Sequence, residues 1–248
     1  MPKKVWSPEE TALALALYLK IPFGHIHKNN IQIIKLAELI DRTPSAVSMK
    51  MCNFARFDKN LSSRGVSGLS HGSKTDLLIW NQFYENTEAL LDYIMKSKYL
   101  ANVPSKIQLP VGDEQIVESK VRINQNFFRQ AVLASYNETC CITGLNIPDL
   151  LCAAHIKPWC KSNPLTERTN PSNGICLNYL HHEAFDRGII TIDEDYKILI
   201  SKEAKNHYTN QSFKDYFLFY EGKRIFLPNR FYPSKEMIQY HNSHIFLG

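Results

Sequence analysis

The sequence predicts an α+β protein, in which an all-α N-terminal domain precedes an α+β domain laid out as strand, loop, strand and helix. Three observations predict it. Up to about residue 98 the apolar residues recur at helical spacing, behind Ser or Thr caps. From Lys98 to about Glu118 the periodicity is lost, and Pro104, Pro110 and Gly112 interrupt the chain. Beyond Thr139, short β-rich runs bounded by Pro and Gly flank a single helical stretch. At 248 residues the chain has room for two domains, expected at 1–98 and 119–248 with a linker at 99–118.

Composition narrows the function classes. A chain with 44% hydrophobic and 21% charged residues has the make-up of a globular protein. No apolar run approaches the roughly 20 residues that cross a bilayer. The basic start at Lys3 and Lys4 leads into Ser7-Pro8-Glu9-Glu10, where a signal peptide needs an apolar core. A cytoplasmic protein with no membrane partner is expected. The six cysteines, at 52, 140, 141, 152, 160 and 176, form no C-x-x-C pair and read as free, mostly buried thiols. The net charge of +5 is mild, but its distribution is uneven. Between Arg42 and Lys74 lie six basic residues (Arg42, Lys50, Arg56, Lys59, Arg64 and Lys74) and one acid, Asp58. Such a cluster suits either a polyanionic partner or a solvated basic face.

The first helix starts at Ser7-Pro8-Glu9-Glu10, with Ser7 as cap, Pro8 in the first turn and Glu10 closing a capping box. It runs through Leu19 and stops before Pro22. A second helix fits residues 31–40, with Ile34, Leu36, Ala37 and Ile40 inward. Asp41-Arg42-Thr43-Pro44 is a stop and restart, Thr43 capping a third, amphipathic helix over 45–57 with Val47, Met51 and Phe54 inward. Two short helices joined by a tight turn make a helix-turn-helix. Ala37 supplies the small residue where the helices cross, Val47 the branched residue that locks them, and Asp41 the turn position that must tolerate a left-handed backbone. Ser45, Ser48, Lys50, Asn53 and Arg56 then point outward, with Arg42 beside them, toward groove or phosphate; plain helical packing is the alternative. A loop rich in Gly and Ser comes next, and one long helix is expected from Ser73 through Ile94.

In the C-terminal half, residues 126–136 read as an amphipathic helix and 139–144 as a strand and turn. Residues 150–159 form a β-rich run that ends at Pro158, and 161–170 a polar excursion. The stretch 171–177 leads into a helix over 178–187, and 189–193 returns as a strand. The aromatic stretch from Phe213 to Tyr232 is either core or a base-stacking surface.

The runs C-C-I-T-G, A-A-H-I-K-P-W, N-P-S-N-G-I-C-L and L-H-H-E-A-F-D-R-G-I-I-T-I-D, in this order, resemble the HNH endonuclease family, and within it the bacterial restriction endonuclease branch. The resemblance covers about residues 115–248. It implies a ββα-metal (HNH) finger that hydrolyses phosphodiesters of double-stranded DNA with a divalent metal. By that resemblance His155 is the general base, suited by an imidazole that titrates near neutrality. Asn173 is the central Asn that holds the loop around it. His182 and Asp186, four apart on one helix face, hold the metal. His181 is either a further ligand or structural, and Arg187 either a phosphate clamp or a surface ion pair.

Two departures from the family pattern matter. The position before the base, often a ligand, is Ala154, which leaves two protein ligands and suits Mg²⁺, with Mn²⁺ as substitute. Where zinc-bearing relatives carry two C-x-x-C pairs, this chain has Cys141 with Gly144 and Asn178 with His181, so no structural zinc is expected. The functional expectation is a restriction or anti-phage endonuclease acting as a homodimer, with a companion methyltransferase as a further candidate partner. A DNA-binding regulator on an inactive nuclease fold and a nonspecific nuclease toxin are the alternatives.

Overall fold

A computed structural model of the chain describes residues 5–62, 65, 73–101, 113–207 and 209–248. The chain forms two compact units: residues 1–134 with 163–170, and residues 135–162 with 171–248.

The first unit is built around helix α1 (Pro8–Lys20). Its repeat of Ala and Leu leaves no polar face, and such a helix is stable only when surrounded. Ten consecutive residues, Glu10 to Leu19, are buried, and α2 (Ile31–Leu39), α3 (Pro44–Phe54), α5 (Lys74–Phe83) and α6 (Thr87–Met95) pack around them. The capping box closes as expected: Ser7 Oγ accepts from the Glu10 N–H at 3.1 Å, and Glu10 Oε2 accepts from the Ser7 N–H at 3.0 Å.

Helices α2 and α3 meet through the expected turn. Asp41 is left-handed, with φ +53°, and the Arg42 N–H reaches back to the Ala37 carbonyl at 2.9 Å. Ala37, Ile40, Val47, Met51 and Phe54 are buried; on α2 the inward isoleucine is Ile33, while Ile34 is half-buried. Two expected elements change. Helix α3 ends at Phe54, not Phe57. The long helix from Ser73 to Ile94 is two helices, because the Asn86 side chain accepts the Ala89 N–H at 3.1 Å and starts α6 afresh. Tyr18, Phe54 and Trp80 fill the centre, their rings 5.7 to 6.1 Å apart. Helices α4 (Lys59–Ser62) and α7 (Lys98–Ala101) are short.

The expected linker is corrected in part. Residues 102–112 lie outside the described residues, but 113–118 already belong to α8 (Asp113–Ser135), which runs on through the segment read as a helix from Asn126. Through Ala134 this helix groups with the first unit and not with the second.

In the second unit, β1 (Leu151–His155) pairs antiparallel with β2 (Gly174–Asn178), in a register that sets His155 opposite Gly174 and Ala154 opposite Ile175. Helix α9 (Tyr179–Asp186) follows β2 directly, capped by the Asn178 side chain, and packs on both strands. A second pair, β3 (Ile190–Ile192) and β4 (Ile198–Ile200), comes next, then α10 (Lys202–Lys205), α11 (Gln211–Tyr216) and α12 (Lys235–His244). Of the strand and turn expected over residues 139–144 only the turn forms, with Asn137, Glu138 and Gly144 all left-handed. The Cys141 N–H still donates to the Cys176 carbonyl, so the turn rides on β2. Cys140, Cys141, Cys152 and Cys176 are buried, Cys52 is half-buried and Cys160 exposed. The aromatic C-terminal stretch divides: Phe231 is core, whereas Tyr216, Phe219 and Phe226 are exposed. Among the described residues no helix is long and apolar enough to cross a membrane.

The end of α9 is fixed by the chain's last segment. Gly188 is left-handed, at φ +68°, and a Cβ there would fall 2.0 Å from the Ile245 carbonyl oxygen, so only glycine fits. From α12, the buried His241 stacks on Phe185 at 3.8 Å between ring centroids and donates from Nε2 to the Phe185 carbonyl at 3.1 Å. Its Nδ1 lies 2.8 Å from the Thr191 hydroxyl.

Burial pushes the His241 imidazole down to about 4, and burial lowers His181 as well. The unfolded chain therefore takes up protons, from pH about 6.5 downward, that the folded chain refuses. Stability is expected to be complete above that range and to fall by up to about 3 kcal/mol from His241 alone as the pH drops to 4. Urea midpoints at pH 7.5 and pH 4.5 measure this, and His241→Gln should narrow the difference. Equal midpoints in the unsubstituted protein would contradict it.

Candidate active site

His155 closes β1, half-buried, with the edge-on ring of Trp159 5.6 Å away at an interplanar angle of 86°. The two residues after it are tied to Asn173. The buried Asn173 side chain accepts the Lys157 N–H at 2.8 Å through Oδ1. Through Nδ2 it donates to the Lys157 carbonyl at 3.1 Å and to Ser162 Oγ at 3.0 Å. The Asn173 carbonyl in turn accepts the Ile156 N–H at 2.9 Å. One amide thus satisfies both backbone groups of Lys157, which a chain leaving a strand would otherwise present unpaired. Ser162 Oγ completes the ring, 2.9 Å from the Lys157 carbonyl oxygen. Its part was not legible, because a Ser in a polar loop carries no distinguishing pattern.

His182 and Asp186 project from α9, Nε2 to Oδ2 3.3 Å, both partly open to solvent. Burial raises the Asp186 carboxyl, Glu183 adds to that, and His182 opposes it. A half-desolvated carboxylate with an imidazole beside it is a donor pair that a cation would relieve, so these residues fit a divalent metal. Among the described residues, no group of three or more His, Cys, Asp or Glu side chains converges as a metal cage. Ala154 is wholly buried.

His181 is corrected from candidate ligand to scaffold. It is buried, donates from Nε2 to the Tyr216 carbonyl at 2.8 Å, and keeps Nδ1 3.0 Å from Asn178 Oδ1, so neither nitrogen faces the site. Arg187 is exposed and paired with Glu183 at 2.6 Å, the surface ion pair of its two readings.

The expected outward face of α3 changes more. Lys50 is buried against Asp76, Nζ to Oδ1 2.5 Å, and cannot point outward. Arg42 is buried too, 2.7 Å from Glu10 Oε2 and 4.1 Å over the Trp6 ring. Both cations answer carboxylates that cap helices, Glu10 for α1 and Asp76 for α5, so they serve helix starts. Ser45 is exposed, and Ser48, half-buried, bonds the Ser45 carbonyl. Asn53 and Arg56 are half-buried, the latter with its guanidinium 4.2 Å over Phe57. Arg64 lies outside the described residues.

Lys50→Ala should therefore cost about 3–5 kcal/mol of stability, by stranding the Asp76 carboxylate, and leave DNA affinity unchanged. Chemical denaturation beside a DNA titration checks this, and a weakened but equally stable variant would return Lys50 to the surface. Asn173→Ala, which strands both Lys157 groups, should cost about 2–4 kcal/mol in the same denaturation experiment. A loss under about 1 kcal/mol would mean that the loop holds without the clamp.

No curated protein matches the chain. Residues 140–193 match the HNH endonuclease family, a span that contains β1, β2, α9 and β3 and every residue of the site around His155, Asn173, His182 and Asp186. Over these residues the chain is similar to HNH endonucleases, a family of nucleases.

Proposed function

We propose that the chain is a divalent-metal-dependent endonuclease of double-stranded DNA in which His155 is the general base. The observation that carries this reading is the Asn173 clamp. It commits a buried amide to fixing the two residues after His155, an arrangement whose effect is to hold an imidazole in place. His155 would take a proton from the attacking water, at the end of a strand where the backbone cannot drift. His182 and Asp186 would hold the ion, Mg²⁺ or Mn²⁺, with phosphate and water completing its shell. When bound there, a divalent cation supplies charge stabilisation to the phosphate oxygens.

The finer role we propose is restriction or anti-phage defence within the cytoplasm, with the helices of the first unit choosing the site. Because Arg42 and Lys50 face inward, that choice would rest on Ser45, Ser48 and Asn53 of α3, side chains that read bases by hydrogen bonds rather than hold phosphates. One site addresses one strand, so a double-strand break calls for two copies of the chain. Trp80, Leu90, Leu91 and Ile94 are buried within the first unit and offer no dimer surface. The exposed aromatics of the second unit remain open to such a role.

The test is cleavage of supercoiled plasmid with Mg²⁺ or Mn²⁺. EDTA should stop it, His155→Ala should abolish it while leaving DNA binding within about threefold, and His182→Ala or Asp186→Ala should raise the metal concentration needed. Full cleavage by His155→Ala, or in EDTA, would sink the assignment.

A further inference from the structure

Within the second unit, the segment from Lys157 to Ser162 is closed from several directions. Asn173 holds Lys157 by both backbone groups. The Lys161 and Ser162 N–H groups both return to the Pro158 carbonyl, at 2.9 and 3.0 Å, which winds Trp159–Lys161 into a single tight turn. Ser162 Oγ sits 2.9 Å from the Lys157 carbonyl and 3.0 Å from that of Pro158, while accepting from Asn173 Nδ2. A turn this heavily bonded has little freedom, and the side chain at its first position is aimed with it. That side chain is Trp159, whose ring meets His155 edge to face.

The other side of the ladder explains why an indole is useful there. The residue opposite His155 is Gly174, so the directly paired position carries no side chain. In an ordinary antiparallel pair that neighbour restricts the rotamer. Here a ring from four residues downstream, across the turn, meets the imidazole instead. An edge-to-face aromatic pair prefers this approach over sliding contact, so the indole defines an orientation as well as filling space.

We propose that Trp159 is the positioning residue of His155. It fixes the imidazole plane, and the Asn173–Ser162 clamp acts on the base through the indole as well as through the strand. This rests on the reading of His155 as general base. The group touches no substrate in this scheme, so its loss should act on turnover and not on binding.

The test uses the full chain, with supercoiled plasmid and Mg²⁺ or Mn²⁺ for kinetics and metal-free protein for spectroscopy. Trp159→Ala should lower kcat by about ten- to a hundred-fold, since a base displaced by an ångström loses that much. KM should stay within about twofold. Trp159→Phe, which keeps a ring edge, should recover most of the rate. Trp159→Leu, apolar but without a ring, should not, and this pair decides the matter if the alanine variant fails to fold. In ¹H–¹³C spectra without metal, the His155 ring signals, assigned by their absence in His155→Ala, should shift in Trp159→Leu.

The two failures are distinct. If His155→Ala cleaves normally, the reading of the base falls and the role of Trp159 with it. If His155→Ala is inactive but Trp159→Leu cleaves at the unsubstituted rate, or leaves the His155 signals in place, the base stands and Trp159 is only packing.

Discussion

One side-chain amide organises the second unit. Asn173 bonds the N–H and the C=O of Lys157 and the hydroxyl of Ser162, and its own carbonyl takes the Ile156 N–H. A chain leaving a strand must find new partners for its backbone groups or stay at the water surface. Asn is the residue that can satisfy a donor and an acceptor of one peptide pair at once, because its side chain is itself an amide. Aspartate would lose the donors, and glutamine, one methylene longer, would need room that the buried site of Asn173 lacks. With Lys157 fixed, Pro158 can start the tight turn and Trp159 can meet His155.

Much of this site was legible because its residues are few, polar and ordered along the chain. His155 at a strand end, Asn173 at the start of the next strand and His182 with Asp186 on the helix after it all lie on the elements expected of them. Spacing alone could not tell which of two adjacent histidines turns inward. Neighbours on a helix differ by about 100°, and both orientations of α9 place one histidine toward water. The choice is made by Ala184 and Phe185, buried on the face that His181 shares, and by the Tyr216 carbonyl, which arrives from a segment 35 residues away. A tertiary acceptor of that kind leaves no mark in local sequence.

The first unit shows the same limit in its charges. The cluster between Arg42 and Lys74 read as a surface feature, yet two of its members are buried in ion pairs. The partners explain them. Glu10 and Asp76 each close a capping box, and each is buried although Pro8 and Lys74, at the same helix starts, are exposed. A buried carboxylate needs a cation or must give up its charge, and Arg42 and Lys50 are the cations within reach. Trp6 adds a ring face to both, 4.1 Å from the Arg42 guanidinium and 4.7 Å from the Lys50 ammonium. The capping boxes were legible; their burial, and so the cations they would claim, was not.

The same competition for polar partners separates the two faces of α9. On the inward face, His181 donates from Nε2 to the Tyr216 carbonyl, and burial lowers its pKa, which favours the neutral ring. On the outward face, the His182 and Asp186 side chains pair with each other, and burial holds the carboxyl above its ordinary range. A pair that the fold leaves half satisfied is one that a cation can complete at small cost in reorganisation. The helix is short, and both of its ends are tied, by the Asn178 cap at the start and by Phe185 with Gly188 at the finish. Eight residues thus present a packed inner face and an outer face whose His182 and Asp186 stay partly open to solvent.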